Sequence, residues 1–291
     1  GSFGSVRLAG GVNTPLSEQA AARLDVVGSK SDGWVDDTNA STFAANGSVL
    51  FRPTDKLALT FSIDHFEDDL DTAYYGTPLI SRSIARDPTD AATGPGNLVL
   101  DRSMRKVNFE ADNGHVESDS TWVRARADYD ISGGWKFRND LSYFDGNRSW
   151  LGADTHTFNA TTNLIDRATS LITHDQAVWF DRANFTFDGL LGDNRNRFTI
   201  GAEATLTDFD SKRRFGTTTS VDSFNPVRGT LSTADTPANF ATRQQVAADV
   251  DSYAVFVEDA YNVTPDLLLV GGIRFDQLDL SRSIQNVNTG V

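Results

Sequence analysis

The chain has 291 residues, a formal net charge of −14 and no cysteine. Without Cys there is no disulfide framework, thiolate metal site or cysteine nucleophile. The acidic balance argues against a nucleic-acid partner, because phosphate binding needs clustered Lys and Arg and only Lys212-Arg213-Arg214 approaches such a cluster.

Hydrophobic residues make up only 39% of the chain while aromatics reach 10%, a balance that suits a β-barrel with a wet lumen. No apolar run nears the roughly 18 residues of a membrane helix. The start, Gly1-Ser2-Phe3-Gly4, has neither a charged nor an apolar leader region and no initiating Met, so the chain is expected to begin inside a longer protein.

Strand signals then follow one another, joined alternately by tight turns and long loops. A first turn is predicted at Asn13-Thr14-Pro15 and a long loop from Ser29 to Ser41. A turn at Pro53-Thr54-Asp55-Lys56 precedes a strand in which Leu57, Leu59, Phe61 and Ile63 oppose Ala58, Thr60, Ser62 and Asp64. After a loop from Glu67 to Ser120 comes another alternating strand. Val123, Ala125, Ala127, Tyr129 and Ile131 share one face, and Arg124, Arg126, Asp128 and Asp130 the other.

Ser132-Gly133-Gly134 turns the chain into a strand with Trp135, Phe137, Leu141 and Tyr143 on one face. The long connections Gly146 to His174 and Asp208 to Val250 flank a turn between Gly189 and Asn194. Tyr253, Val255, Val257 and Tyr261 mark another strand, interrupted by Asp259, before the turn Thr264-Pro265-Asp266. Short turns on one side and long loops on the other are the asymmetry of outer-membrane barrels, with turns periplasmic and loops extracellular. The fold class is therefore all-β: an antiparallel transmembrane β-barrel segment of about ten strands. A soluble β-sandwich would also alternate, but the strand lengths, the loop asymmetry and aromatics such as Trp122, Tyr129, Trp135 and Tyr143 near strand ends favour the barrel.

Several segments carry a family resemblance. Ser252-Tyr253-Ala254-Val255-Phe256-Val257-Glu258-Asp259 followed by Val270-Gly271-Gly272-Ile273-Arg274-Phe275-Asp276 is similar to a barrel hairpin of TonB-dependent siderophore receptors. Asn196 to Glu203, Ala22 to Asp25, Ser31 to Asp36, Trp135 to Leu141 and the loop Phe224-Asn225-Pro226-Val227 resemble other parts of that barrel. The resemblance implies a plugged barrel that binds a ferric siderophore outside and releases it inward when TonB engages. It also implies a bacterial outer-membrane location among lipid and lipopolysaccharide, with the siderophore as transported cargo and no covalently bound cofactor. On this reading residues 1–291 are a partial barrel domain. The plug region that meets the TonB complex and the remaining strands are absent, so transport by this segment alone is not expected.

Loops would carry recognition. Trp34, Tyr74, Tyr75, Trp150 and Phe215 could stack on a chelate, and Arg82, Arg86, Arg213 and Arg214 could attract its negative charge. The acidic run Glu67-Asp68-Asp69-Leu70-Asp71 and the pair Asp36-Asp37 read as a solvated rim more readily than as a calcium site. Two other functions remain open: an omptin-like protease using His65 with Asp68 or His174 with Asp175, and a passive porin with an inward-folded loop. The receptor reading is not an enzyme.

Overall fold

The computed structural model describes residues 2–71 and 76–288. Its strands in chain order are β1 (Val6–Ser17), β2 (Ala20–Ser31), β3 (Ala40–Thr54), β4 (Leu57–Leu70), β5 (Ile80–Ser81), β6 (Pro88–Gly94) and β7 (Leu98–Asp101). They continue with β8 (His115–Ser132), β9 (Trp135–Gly152), β10 (Thr157–Asn159), β11 (Leu164–Leu191), β12 (Asn194–Asp222), β13 (Thr242–Thr264) and β14 (Leu267–Asn286). The main sheet is an antiparallel meander in the order β1-β2-β3-β4-β8-β9-β11-β12-β13-β14, with β10 added to β11. Strands β5, β7 and β6 form a separate three-stranded sheet inside the connection between β4 and β8.

Four of the five predicted turns fall where the sequence places them. At Gly133 and Gly134 φ is +59° and +86°, the positive values at both central positions that a tight hairpin of matching twist requires. The first turn differs. Asn13, Thr14 and Pro15 lie within β1, opposite Arg23, Ala22 and Ala21, and the chain reverses beyond Ser17, which pairs with Ala20. The register shifts between Pro15 and Ser17, the irregularity that a proline introduces near a strand end.

The predicted long loops are shorter than their composition suggests. Strand β11 has 28 residues and β12 has 29, roughly 90 Å each at about 3.3 Å per residue. They therefore run far past a hydrocarbon layer about 30 Å thick. The segment 216–220, Gly-Thr-Thr-Thr-Ser, has loop-like composition, yet its β-branched Thr residues suit a pleated sheet, and Gly216, Thr217 and Thr218 pair with Thr169, Ala168 and Arg167.

Register continuity sorts the side chains into two faces. One row runs Phe61, Ala125, Leu141, Asp181, Ala204, Tyr253 and the next Ile63, Val123, Tyr143, Trp179, Leu206. Apart from Asp181, which accepts from Asn139 Nδ2 at 2.5 Å, these residues are apolar or aromatic, and their face suits lipid. Trp135, Phe187 and Phe198 cluster at its turn end, with centroids 5.4 and 6.3 Å from Trp135, and Tyr143 stacks on Trp179 at 4.6 Å toward the loops. From 135 to 143 on β9 the band matches the about 9 to 11 residues that a tilted strand needs to cross. The opposite face carries cross-strand ion pairs, Arg124–Asp64, Arg126–Asp140, Arg138–Asp128 and Arg182–Glu203, as a water-filled lumen would favour. Trp122 belongs to this polar face, beside Arg124 and opposite Asp64 and Phe144, and so is not part of an interfacial girdle as its strand-end position suggested.

Candidate functional site

The buried core lies beyond the membrane band, where the connections pack on the extended strand ends. Ile80, Met104, Phe109, Phe158, Ile165 and Val221 form one cluster, and Ala111, Leu151, Ala153 and Leu231 another. Buried arginines tie the segments together. Arg167 donates to the carbonyls of Phe109, Thr219 and Arg228 at 3.0, 2.9 and 2.9 Å. Arg228 bridges Asp37 and Asp112 at 3.0 and 2.9 Å, which joins the 32–39, 102–114 and 223–241 segments.

Arg214 is 3% exposed and grips Asp235 through Nε and Nη2 at 2.7 and 2.9 Å, while Arg243 binds the same carboxylate. The two guanidiniums hold Asp235 far below the usual carboxylate range. Burial acts the other way on Glu110 and Asp154, raising both, although the amides of Ala111 and Ala153 donate to Glu110 and Ser170 donates to Asp154. Burial also lowers His156, whose Nε2–H donates to the Ala153 carbonyl at 2.6 Å. Together these contacts pack the connections beyond the membrane band into one block.

Beside it, on the continuation of the polar face, Arg148, Trp150, Ile172, His174, Arg213 and Phe215 line a cavity of about 280 Å³. They project from adjacent strands in two-residue steps: 148 and 150 on β9, 172 and 174 on β11, 213 and 215 on β12. Across the strands Trp150 meets Ile172, Ile172 meets Arg213, and Arg148 meets His174. The Arg148 guanidinium lies 5.9 Å from the Trp150 ring and the His174 ring 5.3 Å from Phe209. Among the described residues, neither Arg148 nor Arg213 sits within ion-pair distance of a carboxylate. Burial and these two cations lower the His174 pKa, so His174 stays a neutral donor and acceptor at neutral pH. Two guanidiniums without an ion-pair partner among the described residues thus stand between aromatic walls, an arrangement whose charge and stacking surfaces complement an anion with a flat organic face.

Three of the predicted ligand residues, Trp150, Arg213 and Phe215, converge here. They are strand residues rather than loop residues, because β9 and β12 continue past the membrane. Arg214 points to the other face and is consumed by Asp235. Arg82 pairs with Asp90, and Arg86 stacks on Phe224 at 3.8 Å. Trp34 lies in the β2–β3 connection, 46% exposed and apart from this cavity. Tyr74 and Tyr75 lie outside the described residues. Arg148 and Ile172 escaped sequence reasoning, and His174 was named there only as a protease base, although the i, i+2 spacing of Arg148 with Trp150 and of Arg213 with Phe215 carries the signal.

That same parity separates the suggested protease dyads, since His65 and Asp68, and likewise His174 and Asp175, occupy opposite faces of their strands. His65 instead bonds Thr121 and Glu67. Among the described residues no group of three His, Asp or Glu is arranged to hold a metal ion.

No curated protein matches the sequence significantly. Among solved structures, the chain is similar to the ferric-catecholate import receptor Fiu of E. coli K12 (TM-score 0.76, 19% identity, 97% of this chain and 43% of that one). It is also similar to FpvA of P. aeruginosa bound to a heterologous pyoverdine (0.78, 15%, 98% and 37%). A third is the siderophore receptor PiuA of Acinetobacter baumannii (0.71, 14%, 97% and 42%). The chain thus spans about two fifths of the length of these proteins, and at such identities the likeness is one of fold. The family model for the TonB dependent receptor-like β-barrel matches residues 63–290, and with the meander, the apolar belt and the polar inner face it establishes that this chain belongs to that family of Gram-negative outer-membrane barrels.

Proposed function

We propose that this chain forms the wall and outer vestibule of a receptor that takes up a ferric siderophore across the outer membrane in a TonB-dependent manner. The observation that carries the reading is the pair Arg148 and Arg213, which no carboxylate among the described residues ion-pairs on a chain of net charge −14, framed by Trp150 and Phe215. Ferric chelates are commonly anionic and flat-sided, so charge and stacking act on the same cargo. The fold neighbours named as ferric-catecholate and siderophore receptors support the choice. Energy would enter from TonB through a plug region, and lipopolysaccharide would surround the wall.

The test is equilibrium binding of iron(III)–catechol and iron(III)–citrate complexes to the full-length receptor, with and without Arg148→Ala/Arg213→Ala. Binding should weaken on the order of a hundredfold in the double variant, as two charge-assisted contacts are lost. Unchanged affinity for every iron complex tried would sink the reading.

A further inference from the structure

The lipid-facing side of the wall holds another cavity, of about 500 Å³. Its floor is Ala183 on β11 with Ala202 and Ala204 on β12, and Tyr253, Val255 and Phe275 raise its far side. In the register Ala183, Ala202, Val255 and Phe275 form one row, and Asp181, Ala204, Tyr253 and Gln277 form the next toward the loops. Both rows lie on the face that suits lipid, so the trough opens to the bilayer and not to the lumen. Methyl side chains among larger neighbours leave space whose missing dispersion contacts a hydrocarbon chain would supply.

Charge marks where the trough ends. Toward the loops the next row is Trp179, Leu206, Asp251 and Asp279, and beyond it stand Asp208 and Asp249. Asp251 lies directly opposite Asp279, and Asp208 directly opposite Asp249, cross-strand pairs of like charge that work against the pairing of their strands. Asp181, at the rim, accepts from Asn139 through Oδ1, while its Oδ2 has no partner among the described residues. Gln277 Nε2 donates to Asp279 at 3.1 Å, which ties the rim to the nearer pair. Among the described residues no Lys or Arg occupies this face of β11–β14 from the turns up to Lys212, two rows past Asp208. An apolar trough that opens onto uncompensated carboxylates beside the Trp179 ring complements an amphiphile with a cationic head.

We propose that this trough holds a membrane lipid with a primary ammonium head, its chain along Ala183, Ala202 and Ala204 and its ammonium among Asp181, Asp251 and Asp279. The head offsets the like-charge pair, and the chain fills the space above the alanines. This face is opposite to that of the Arg148–Arg213 cavity, so the site goes beyond the receptor reading and does not depend on it.

The test reconstitutes the full-length receptor in phosphatidylcholine bilayers containing phosphatidylethanolamine or phosphatidylglycerol with brominated chains. Quenching of Trp179 fluorescence, read as the difference between wild type and Trp179→Phe, gives the binding constant of each lipid relative to phosphatidylcholine. Phosphatidylethanolamine should be preferred roughly three- to tenfold, the range of one charge-assisted contact at a partly wet site, and phosphatidylglycerol should be disfavoured. Asp181→Asn/Asp251→Asn/Asp279→Asn should erase the preference. Ala202→Phe fills the floor while leaving the carboxylates in place, and should erase it too. Both variants alter only outward-facing side chains, so barrels remain intact by circular dichroism.

Equal constants for phosphatidylethanolamine and phosphatidylcholine overturn the site, as does a preference that survives in either variant. Survival in Ala202→Phe alone would mark a charged surface with no place for the chain. If no brominated lipid quenches Trp179, a second copy or another protein covers the trough, and the lipid site is likewise overturned.

Discussion

The membrane band and the block of connections above it are held together by different physics, although the same strands run through both. In the band, large apolar side chains remain open to their surroundings, with Phe61 52% and Ile63 50% exposed, and order comes from the backbone ladder. In the block, Ile80, Met104, Phe109 and Phe240 are at most 1% exposed, and order comes from side-chain packing and buried ionic contacts. Bilayer lipid supplies for the band what a protein core supplies for the block.

The same deletion should therefore have unequal effects. Phe109→Ala empties a filled cavity and should cost about 3–5 kcal/mol, seen as lost hydrogen-exchange protection across 80–110. Phe61→Ala exposes the site to lipid instead and should leave the barrel's urea midpoint in bilayers almost unmoved. Comparable losses at the two sites would erase the distinction.

The distinction sharpens with charge. Ile63→Arg, on the apolar face, should destabilise the inserted barrel by about 2–4 kcal/mol if it lies near the midplane, measured by unfolding in bilayers. Ser62→Arg on the polar face should be nearly silent. In the block, Asp235→Ala leaves Arg214, with its side chain 4% exposed, without its carboxylate. A loss of about 2–3 kcal/mol is expected, less than the 3–5 of a fully buried pair because Asp235 is itself 42% exposed. The readout is protease sensitivity of the 223–241 segment. Since the carboxylate is depressed in the folded state, its contribution is complete above the ordinary Asp range and fades as pH falls through that range.

How far the sequence could be read follows the same division. The two-residue period of Leu57 to Asp64 and Val123 to Asp130 is imposed locally by a lipid face and a wet face, so face assignment and the Gly133-Gly134 turn were legible. The block has no period, because Arg228 reaching Asp37 and Asp112, or Asn113 bonding Leu231 across 118 positions, depends on contacts that no local pattern encodes. The site falls between. Arg213 and Phe215 could be named as suspects. Strand parity sets Arg213 with Phe215 and apart from Arg214, but only register shows that Trp150, Arg148 and His174 join them from the adjoining strands. Trp122 was misassigned for a related reason: an aromatic near a strand end looks the same in sequence whichever face it occupies.

The smallest expected effect tests whether the block carries its own response to acidity. His156 is kept neutral by burial, with Arg167 adding to the shift and Phe109 packed 5.7 Å from its ring. A histidine depressed in the folded state contributes stability that is lost as pH falls below its ordinary value of about 6.5. Glu110 and Asp154 are raised by burial and have the opposite sign, so their protonation favours the block as pH falls through the window above their ordinary values. Wild-type protection at 153–156, corrected for intrinsic exchange, should drop as pH falls just below about 6.5. In His156→Gln, whose amide can still donate to the Ala153 carbonyl, the drop should vanish and the carboxyl groups should leave a slight gain at lower pH. An identical acid-side loss in that variant would move the response to the membrane band, where no buried titratable cluster of this kind appears among the described residues.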